Sequence, residues 1–303
     1  MTRHLLKLSD LSAEEAQGIV ARAIQLKNSR DPAYRPFVGK TLAMLFTKNS
    51  TRTRVSFESG MVKFGGHALF LSASATQMGR DEPLMDTAQV LSRMCDAIMI
   101  RNDSQADQEE LARHSRVPVI NGLSNLHHPC QLLADIQVWT EHRGSPKGKT
   151  AAWVGDGNNV CHSFIEAAKL FDFKLRIAAP VGYEPSQEIV RHGGNLIEVS
   201  HDPKAAVTGA DIVVTDTWTS MGQEEETQRR LKAFAGYQVD DAMMALAKPE
   251  AIFLHCLPAH RGEEVSASVI DGPQSVIYDE AENRLWAQMA LVEFLLGMTP
   301  KAK

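Results

Sequence analysis

No apolar run in this sequence approaches the ~20 residues that a helix needs to cross a bilayer. The opening stretch MTRHLLKLSDLSAEE lacks the long apolar segment of a secretory leader. Both absences predict a cytoplasmic chain with no membrane partner. Cysteine is scarce: Cys95, Cys130, Cys161 and Cys256 are scattered, form no C-x-x-C, and fall in predicted core or motif segments, as reduced thiols do. Basic residues are not in excess, with 32 Lys and Arg against 37 Asp and Glu and a formal charge of −5. That balance argues against nucleic acid or an anionic membrane, and leaves room for small anionic substrates in a local basic pocket. There is no internal repeat and no low-complexity tract. What remains, 44% hydrophobic and 23% charged over 303 residues, is a globular composition with length for two domains.

Against that background, Phe46 to Gly60 (FTKNSTRTRVSFESG) stands out. Lys40 to Phe46 reads as a buried strand, and Arg54 to Phe64 as a helix stopped by Gly65 and Gly66, with Val55, Met61, Val62 and Phe64 inward. The helix therefore starts inside Ser50-Thr51-Arg52-Thr53. Its first turn offers unpaired N–H groups and a partial positive charge to a phosphate. Ser50, Thr51 and Thr53 add hydroxyls, and Arg52 and Arg54 add planar forks for phosphate oxygens. An ordinary capped helix would explain a single Ser or Thr there. Two arginines in a first turn oppose the helix dipole, so an anion is expected to offset them.

Further along, strands and helices alternate. His67 to Ser72, Asp96 to Arg101 and Val117 to Asn121 read as strands; Ser12 to Lys27, Thr87 to Met94, Gln105 to His114 and Pro129 to His142 read as helices. Arg143 to Lys149 (RGSPKGK) has linker composition, after which the alternation restarts from Thr150 and ends in a helix over Ala281 to Met298. The expected fold is α/β, with two doubly wound parallel-sheet domains. The first spans 1–143 and is joined by the C-terminal helix 281–303; the second spans 150–280. Gly155-Asp156-Gly157-Asn158-Asn159 follows a strand and opens a helix, which superficially suggests a dinucleotide site. However, Val160 stands where the third glycine belongs, and no acidic residue ends the strand over Lys174 to Pro180.

Four motifs in order, Ser50-Thr51-Arg52-Thr53-Arg54, His128-Pro129-Cys130-Gln131, Asp216-Thr217-Trp218-Thr219-Ser220-Met221-Gly222 and His255-Cys256-Leu257-Pro258, resemble the transcarbamoylase family from about Leu5 to Met298. The first two look like the carbamoyl phosphate elements shared by aspartate and ornithine carbamoyltransferases, and the last two are similar to the ornithine branch. The resemblance implies an active site in the cleft between the domains. Ser50 to Thr53 would cradle phosphate, Arg101 and His128 would donate to the carbamoyl oxygen, and Gln131 would hold the carbamoyl amide, beside Pro129 and Cys130. Gln77 would reach a neighbouring subunit's site, and Arg284 would be a phosphate-side contact from the second domain. Asn159, Asp216, Ser220 and the Met221 backbone would grip the amino acid, while Cys256 and the Leu257 carbonyl would orient its amine and border the carbamoyl phosphate.

Each residue also has an ordinary reading. Arg101 could be a strand-end charge, His128 a loop histidine, Asp216 a solvated carboxylate, and Cys256 a small hydrophobe on an apolar strand. His127, His128, Cys130, His255 and Cys256 have no regular zinc spacing, so no metal is expected, and the resemblance implies no cofactor. It implies transfer of a carbamoyl group from carbamoyl phosphate to L-ornithine, giving L-citrulline and phosphate in arginine metabolism, by a homotrimer or a multiple of it. Alternatives are a related transferase using N-acetylornithine or putrescine, and, from another class, a dinucleotide-dependent oxidoreductase.

Overall fold

The structure is a computed structural model, and it describes residues 2–72, 82–219 and 226–300. The chain divides into two compact units, one of Met1–Gln137 with Glu282–Lys303 and one of Val138–Ala281.

The first unit opens with α1 (Ala13–Ser29), whose N-cap Ser12 and N3 residue Glu15 satisfy each other's backbone N–H groups. Then come β1 (Thr41–Phe46), α2 (Thr51–Lys63), β2 (His67–Ser72), α3 (Leu84–Leu91), β3 (Ala97–Arg101), α4 (Gln105–His114), β4 (Val119–Leu123) and the start of α5 (Pro129–Arg143). The four strands are parallel, in the order β2-β1-β3-β4. Leu42 to Phe46 are all buried, as in a strand covered on both faces. Ala43, Leu45, Ile98 and Ile100 pack with Ala88, Leu111 and Ala112 in one core cluster.

The inward face expected for α2 was half wrong. Met61 and Phe64 are buried, but Val55 and Val62 are 52% and 63% exposed. Those valines share one stripe of the helix, and the buried stripe is Thr53, Ser56, Phe57, Gly60 and Met61. At Gly60 the packing is close: a Cβ there would lie 2.7 Å from Met289 Sδ.

The second unit runs β5 (Thr150–Val154), α6 (Asn159–Phe171), β6 (Lys174–Ala178), α7 (Gln187–Gly193), β7 (Ile197–Ser200), α8 (Pro203–Val207), β8 (Ile212–Thr215), α9 (Thr227–Ala233), α10 (Asp241–Met244), β9 (Ile252–His255), α11 (Ala267–Ile270) and α12 (Ile277–Leu295). From Glu282 onward α12 groups with the first unit. That helix begins and ends earlier than the expected Ala281 to Met298. The sheet is again parallel, in the order β7-β6-β5-β8-β9.

In both sheets the order reverses once, between β1 and β3 and between β5 and β8. At such a point successive connections depart to opposite faces, and the carboxyl ends of the two strands border a crevice where open α/β sheets take their ligands. Ser50 to Thr53 follow β1, Arg101 ends β3, the Gly155 to Asn159 turn follows β5, and Asp216 follows β8. Among the described residues, no helix is long and apolar enough to cross a membrane.

Candidate active site

Ser50 caps α2 in the first unit, its hydroxyl accepting from Thr53 N at 3.3 Å. The register of β3 against β4 shifts between Ile100 and Arg101, an irregularity that redirects a strand end. Arg101 Nη1 donates to Thr53 Oγ1 at 3.3 Å, and Arg284 Nη2 donates to the same oxygen at 3.3 Å. Arg284 Nη1 also donates to Gln131 Oε1 at 2.7 Å, while Gln131 Nε2 donates to Asp135 Oδ1 at 2.8 Å. The Gln288 amide, oriented with its oxygen toward Arg284, accepts from Nε at 3.1 Å and Nη2 at 3.0 Å and donates to Ser56 Oγ at 2.7 Å.

His128, just before the N1 proline Pro129 of α5, is buried. Burial holds its pKa well below the ordinary 6.5, and Arg284, Arg101 and Arg52 push it the same way. The imidazole is therefore neutral near pH 7 and can donate through one nitrogen without adding a charge. Its neighbour Cys130 is fully buried, with Sγ donating to the Asn121 carbonyl at 3.3 Å and a thiol pushed up to about 12 by burial.

In the second unit Asn158 caps α6, Oδ1 accepting from Val160 N at 3.0 Å and Cys161 N at 3.2 Å. Its Nδ2 donates to Asp216 Oδ2 at 2.8 Å. Asp216 Oδ1 accepts from Thr217 N at 2.8 Å and from Cys256 Sγ at 3.2 Å, so a nearly buried carboxylate is held on both oxygens. Leu257, at φ 58, donates its N–H to His255 Nδ1 at 2.9 Å, which leaves Nε2 as the donor to Glu264 Oε1 at 3.1 Å. Ligand atoms of Asp216, His255 and Cys256 lie within 4.8 Å of one another, the spacing of a possible metal site. The His255 nitrogens and the Cys256 thiol are already spent on hydrogen bonds within the protein.

The turn after β5 has no room for a pyrophosphate against its second glycine. A Cβ at Gly157 would lie 2.1 Å from Pro185 N, so the protein's own loop occupies the approach that a dinucleotide would use. Gly157 N donates to the Tyr183 carbonyl at 2.8 Å, binding that loop in place.

Known proteins share this arrangement along the whole chain. Residues 3–141 match the family model for the aspartate/ornithine carbamoyltransferase carbamoyl-P binding domain, and residues 147–295 match the model for the Asp/Orn binding domain. The chain belongs to the aspartate/ornithine carbamoyltransferase family. An ornithine carbamoyltransferase from Methylococcus capsulatus is 59% identical over 97% of this chain and 98% of its own length. The anabolic ornithine carbamoyltransferase 1 of Pseudomonas savastanoi pv. phaseolicola is 55% identical over 97% of each chain. Among solved structures, the ornithine carbamoyltransferase of Pyrococcus furiosus is 47% identical with a TM-score of 0.93, covering 99% of this chain and 98% of that one. Its counterpart from Burkholderia thailandensis is 50% identical with a TM-score of 0.91, over 98% and 100%.

With the carbamoyltransferase family in view, the expected residues sort by position. Thr53, Arg101, Gln131 and Arg284 form one hydrogen-bonded group, and Arg52 and His128 share its electrostatic field. Arg284 was expected as a contact from the second domain, although the expected bounds put helix 281–303 with the first; it groups with the first unit. Arg54 is held elsewhere, with Nε on Glu58 at 3.1 Å and its guanidinium 3.9 Å from the Phe70 ring centroid. Thr51 is exposed at the start of α2. In the second unit Asp216 and Cys256 meet, and Asn159 is the first residue of α6. Cys256 is not the buried strand residue of its ordinary reading: β9 ends at His255, and the thiol is partly exposed. Gln77, Ser220 and Met221 lie outside the described residues. Asn158, Gln288 and Arg230 were missed, and only Asn158 carried a signal, an amide at a predicted helix start; His255 was quoted in the fourth motif but given no role of its own.

Proposed function

We propose that this chain transfers the carbamoyl group of carbamoyl phosphate to the δ-amine of L-ornithine, releasing L-citrulline and phosphate, in the cytoplasm and toward arginine. The observation that carries the proposal is the sorting of charge between the two motif groups. Three arginines surround a neutral imidazole after β1 and β3, and a doubly held carboxylate follows β8. Phosphate sits on the N–H groups of the first turn of α2, with Arg52, Ser50, Thr51, Thr53 and Arg284 around it. The uncharged amine attacks the carbamoyl carbon, forming the C–N bond, and negative charge gathers on the carbonyl oxygen. Arg101 and His128 donate to that oxygen, and Gln131, fixed by Arg284 and Asp135, holds the carbamoyl amide. Collapse breaks the C–O bond to phosphate, and the proton shed by the nitrogen leaves with the departing phosphate.

Asp216 takes the α-ammonium of ornithine, with Asn159, Ser220 and the Met221 backbone at the amino-acid end. Cys256 and the Leu257 carbonyl direct the δ-amine. Cys130 contributes its backbone, since its thiol is turned to Asn121. The anabolic Pseudomonas relative supports the biosynthetic direction. A homotrimer agrees with exposed Val55 and Val62 on one stripe of α2, an apolar face suited to a second copy. Citrulline formation assayed side by side with ornithine, N-acetylornithine, putrescine and aspartate tests the assignment. Ornithine should be preferred, and equal or faster turnover of another acceptor would reassign the substrate.

A further inference from the structure

Arg230 is a buried cation that the transfer chemistry leaves unused. It projects from α9, and its guanidinium makes two directed contacts: Nε donates to the Trp218 carbonyl and Nη2 to the Asp156 carboxylate. Two neighbouring rings, 5.0 Å apart, lie against the group, with centroids 4.8 Å away for Tyr183 and 5.5 Å for Phe234. Phe234 also stacks on Trp218 at 5.5 Å and 26°. Asp156, Tyr183 and Trp218 lie on the connections leaving β5, β6 and β8, so one side chain fastens three loops at the carboxyl edge of the second sheet.

A buried ion pair is a weak source of stability, because desolvation consumes most of the attraction. Geometry makes a different use of this pair. The β5 turn carries Asn159 three residues after Asp156, and the β8 exit carries Asp216 two residues before Trp218. The two segments are tied once by Asn158 Nδ2 on Asp216 Oδ2 at 2.8 Å. Arg230 ties them again, through Asp156 ahead of Asn158 on one segment and through Trp218 beyond Asp216 on the other. Its charge pairs with the Asp156 carboxylate and, at 3.8 Å, with Glu226 Oε2.

We propose that Arg230 is a positioning residue for amino-acid binding, fixing the two turns that present Asn159 and Asp216. The proposal rests on the assignment of those two residues to the α-amino-acid end of the substrate. Its test uses the full-length protein and L-norvaline, which is ornithine without the reacting δ-amine. Arg230→Lys keeps a charge and a stem but cannot reach two acceptors in a fork; Arg230→Gln removes the charge.

Norvaline affinity is measured by calorimetry at saturating carbamoyl phosphate, carbamoyl phosphate affinity is measured alone, and melting is followed by circular dichroism. Both variants should weaken norvaline roughly tenfold to a hundredfold, the cost of a lost charged hydrogen bond, while carbamoyl phosphate affinity stays within about twofold. The KM for ornithine should rise by more than kcat falls. Arg230→Lys with near wild-type melting and weakened norvaline supports positioning. Arg230→Lys with wild-type norvaline affinity overturns it, as does an equal loss for both ligands. Wild-type protein that fails to bind norvaline would instead sink the Asn159 and Asp216 assignment, and the proposal with it.

Discussion

The neutrality of His128 can be tested by pH, because substrate and enzyme ionisations predict different slopes. An alkyl amine of pKa about 10.4 is uncharged in roughly one molecule in 25,000 at pH 6 and one in 250 at pH 8. If the uncharged amine is the nucleophile, kcat/KM for ornithine should rise about tenfold per pH unit and about a hundredfold over that range. A histidine of ordinary pKa that had to be neutral would add a second decade per unit below about 6.5. In the structure, burial and the guanidinium groups of Arg284, Arg101 and Arg52 hold the His128 pKa well below that value, so no second decade should come from it. The comparison is with His128→Ala, which should lower kcat by about 10²–10³, the cost of one preorganised donor to an oxyanion, without changing the slope. The linked stability has a definite sign. The folded-state pKa is depressed below the unfolded one, so the contribution is present above about pH 6.5 and falls as pH drops toward the folded value, by up to about 1.4 kcal/mol per unit. Progress curves for citrulline between pH 5.5 and 8 in both proteins decide the matter. A steeper limb below 6.5 in the wild type that His128→Ala lacks would refute the neutral-donor assignment.

Arg52→Ala should cost about 3 kcal/mol or more in kcat/KM, through kcat as well as carbamoyl phosphate binding, and near wild-type steady-state kinetics would remove Arg52 from the phosphate cradle. Cys256→Ser keeps a donor to Asp216, so kcat should fall by no more than about tenfold; a fall of about 10⁴ would mean that the thiol forms a covalent bond with substrate. Gln77 is expected to serve a neighbouring subunit, so mixed and reassembled Arg52→Ala and Gln77→Ala chains should regain activity above both parents. An unchanged sum of the parents after subunit exchange would count against a shared site.

Short motifs were legible because their chemistry is local. A strand followed by Ser-Thr-Arg-Thr reads as a capped helix start with donors suited to an anion, and Ser50 does cap α2. The alternation of elements was equally legible, and with it two parallel sheets. Facing was less so: the valines of α2 looked like core until the small stripe around Gly60 met Met289. Helix periodicity gives a stripe its spacing but not its direction, and here close packing outranked hydrophobicity. Arg54 could not be separated from Arg52 in sequence, because the separation depends on Glu58 and on Phe70 of the neighbouring strand. Arg230 was hidden for a similar reason. It follows a run of glutamates that reads as a solvated helix start, and its partners Asp156 and Tyr183 come from loops distant in sequence.

A chain of net charge −5 can serve a doubly anionic substrate because charge is sorted locally. The first sheet's switch point gathers Arg52, Arg101 and Arg284, and burial, aided by their field, keeps His128 uncharged. That is useful for more than phosphate: an imidazolium there would have to compete with three guanidinium groups, whereas a neutral N–H can follow charge onto the carbonyl oxygen. The second switch point sets the opposite sign. Asp216 is held by Asn158, Thr217 and Cys256, all uncharged donors, so its negative charge is oriented without being neutralised and stays available to an ammonium. An acceptor carrying two ammonium groups therefore meets one site that welcomes a cation and another that repels it. In the proposed reaction the α-ammonium stays charged beside Asp216, while the δ-amine reacts only after shedding its proton. In that reaction, discrimination between the two amines of ornithine follows in part from this sorting, with Cys256 and the Leu257 carbonyl directing the δ end.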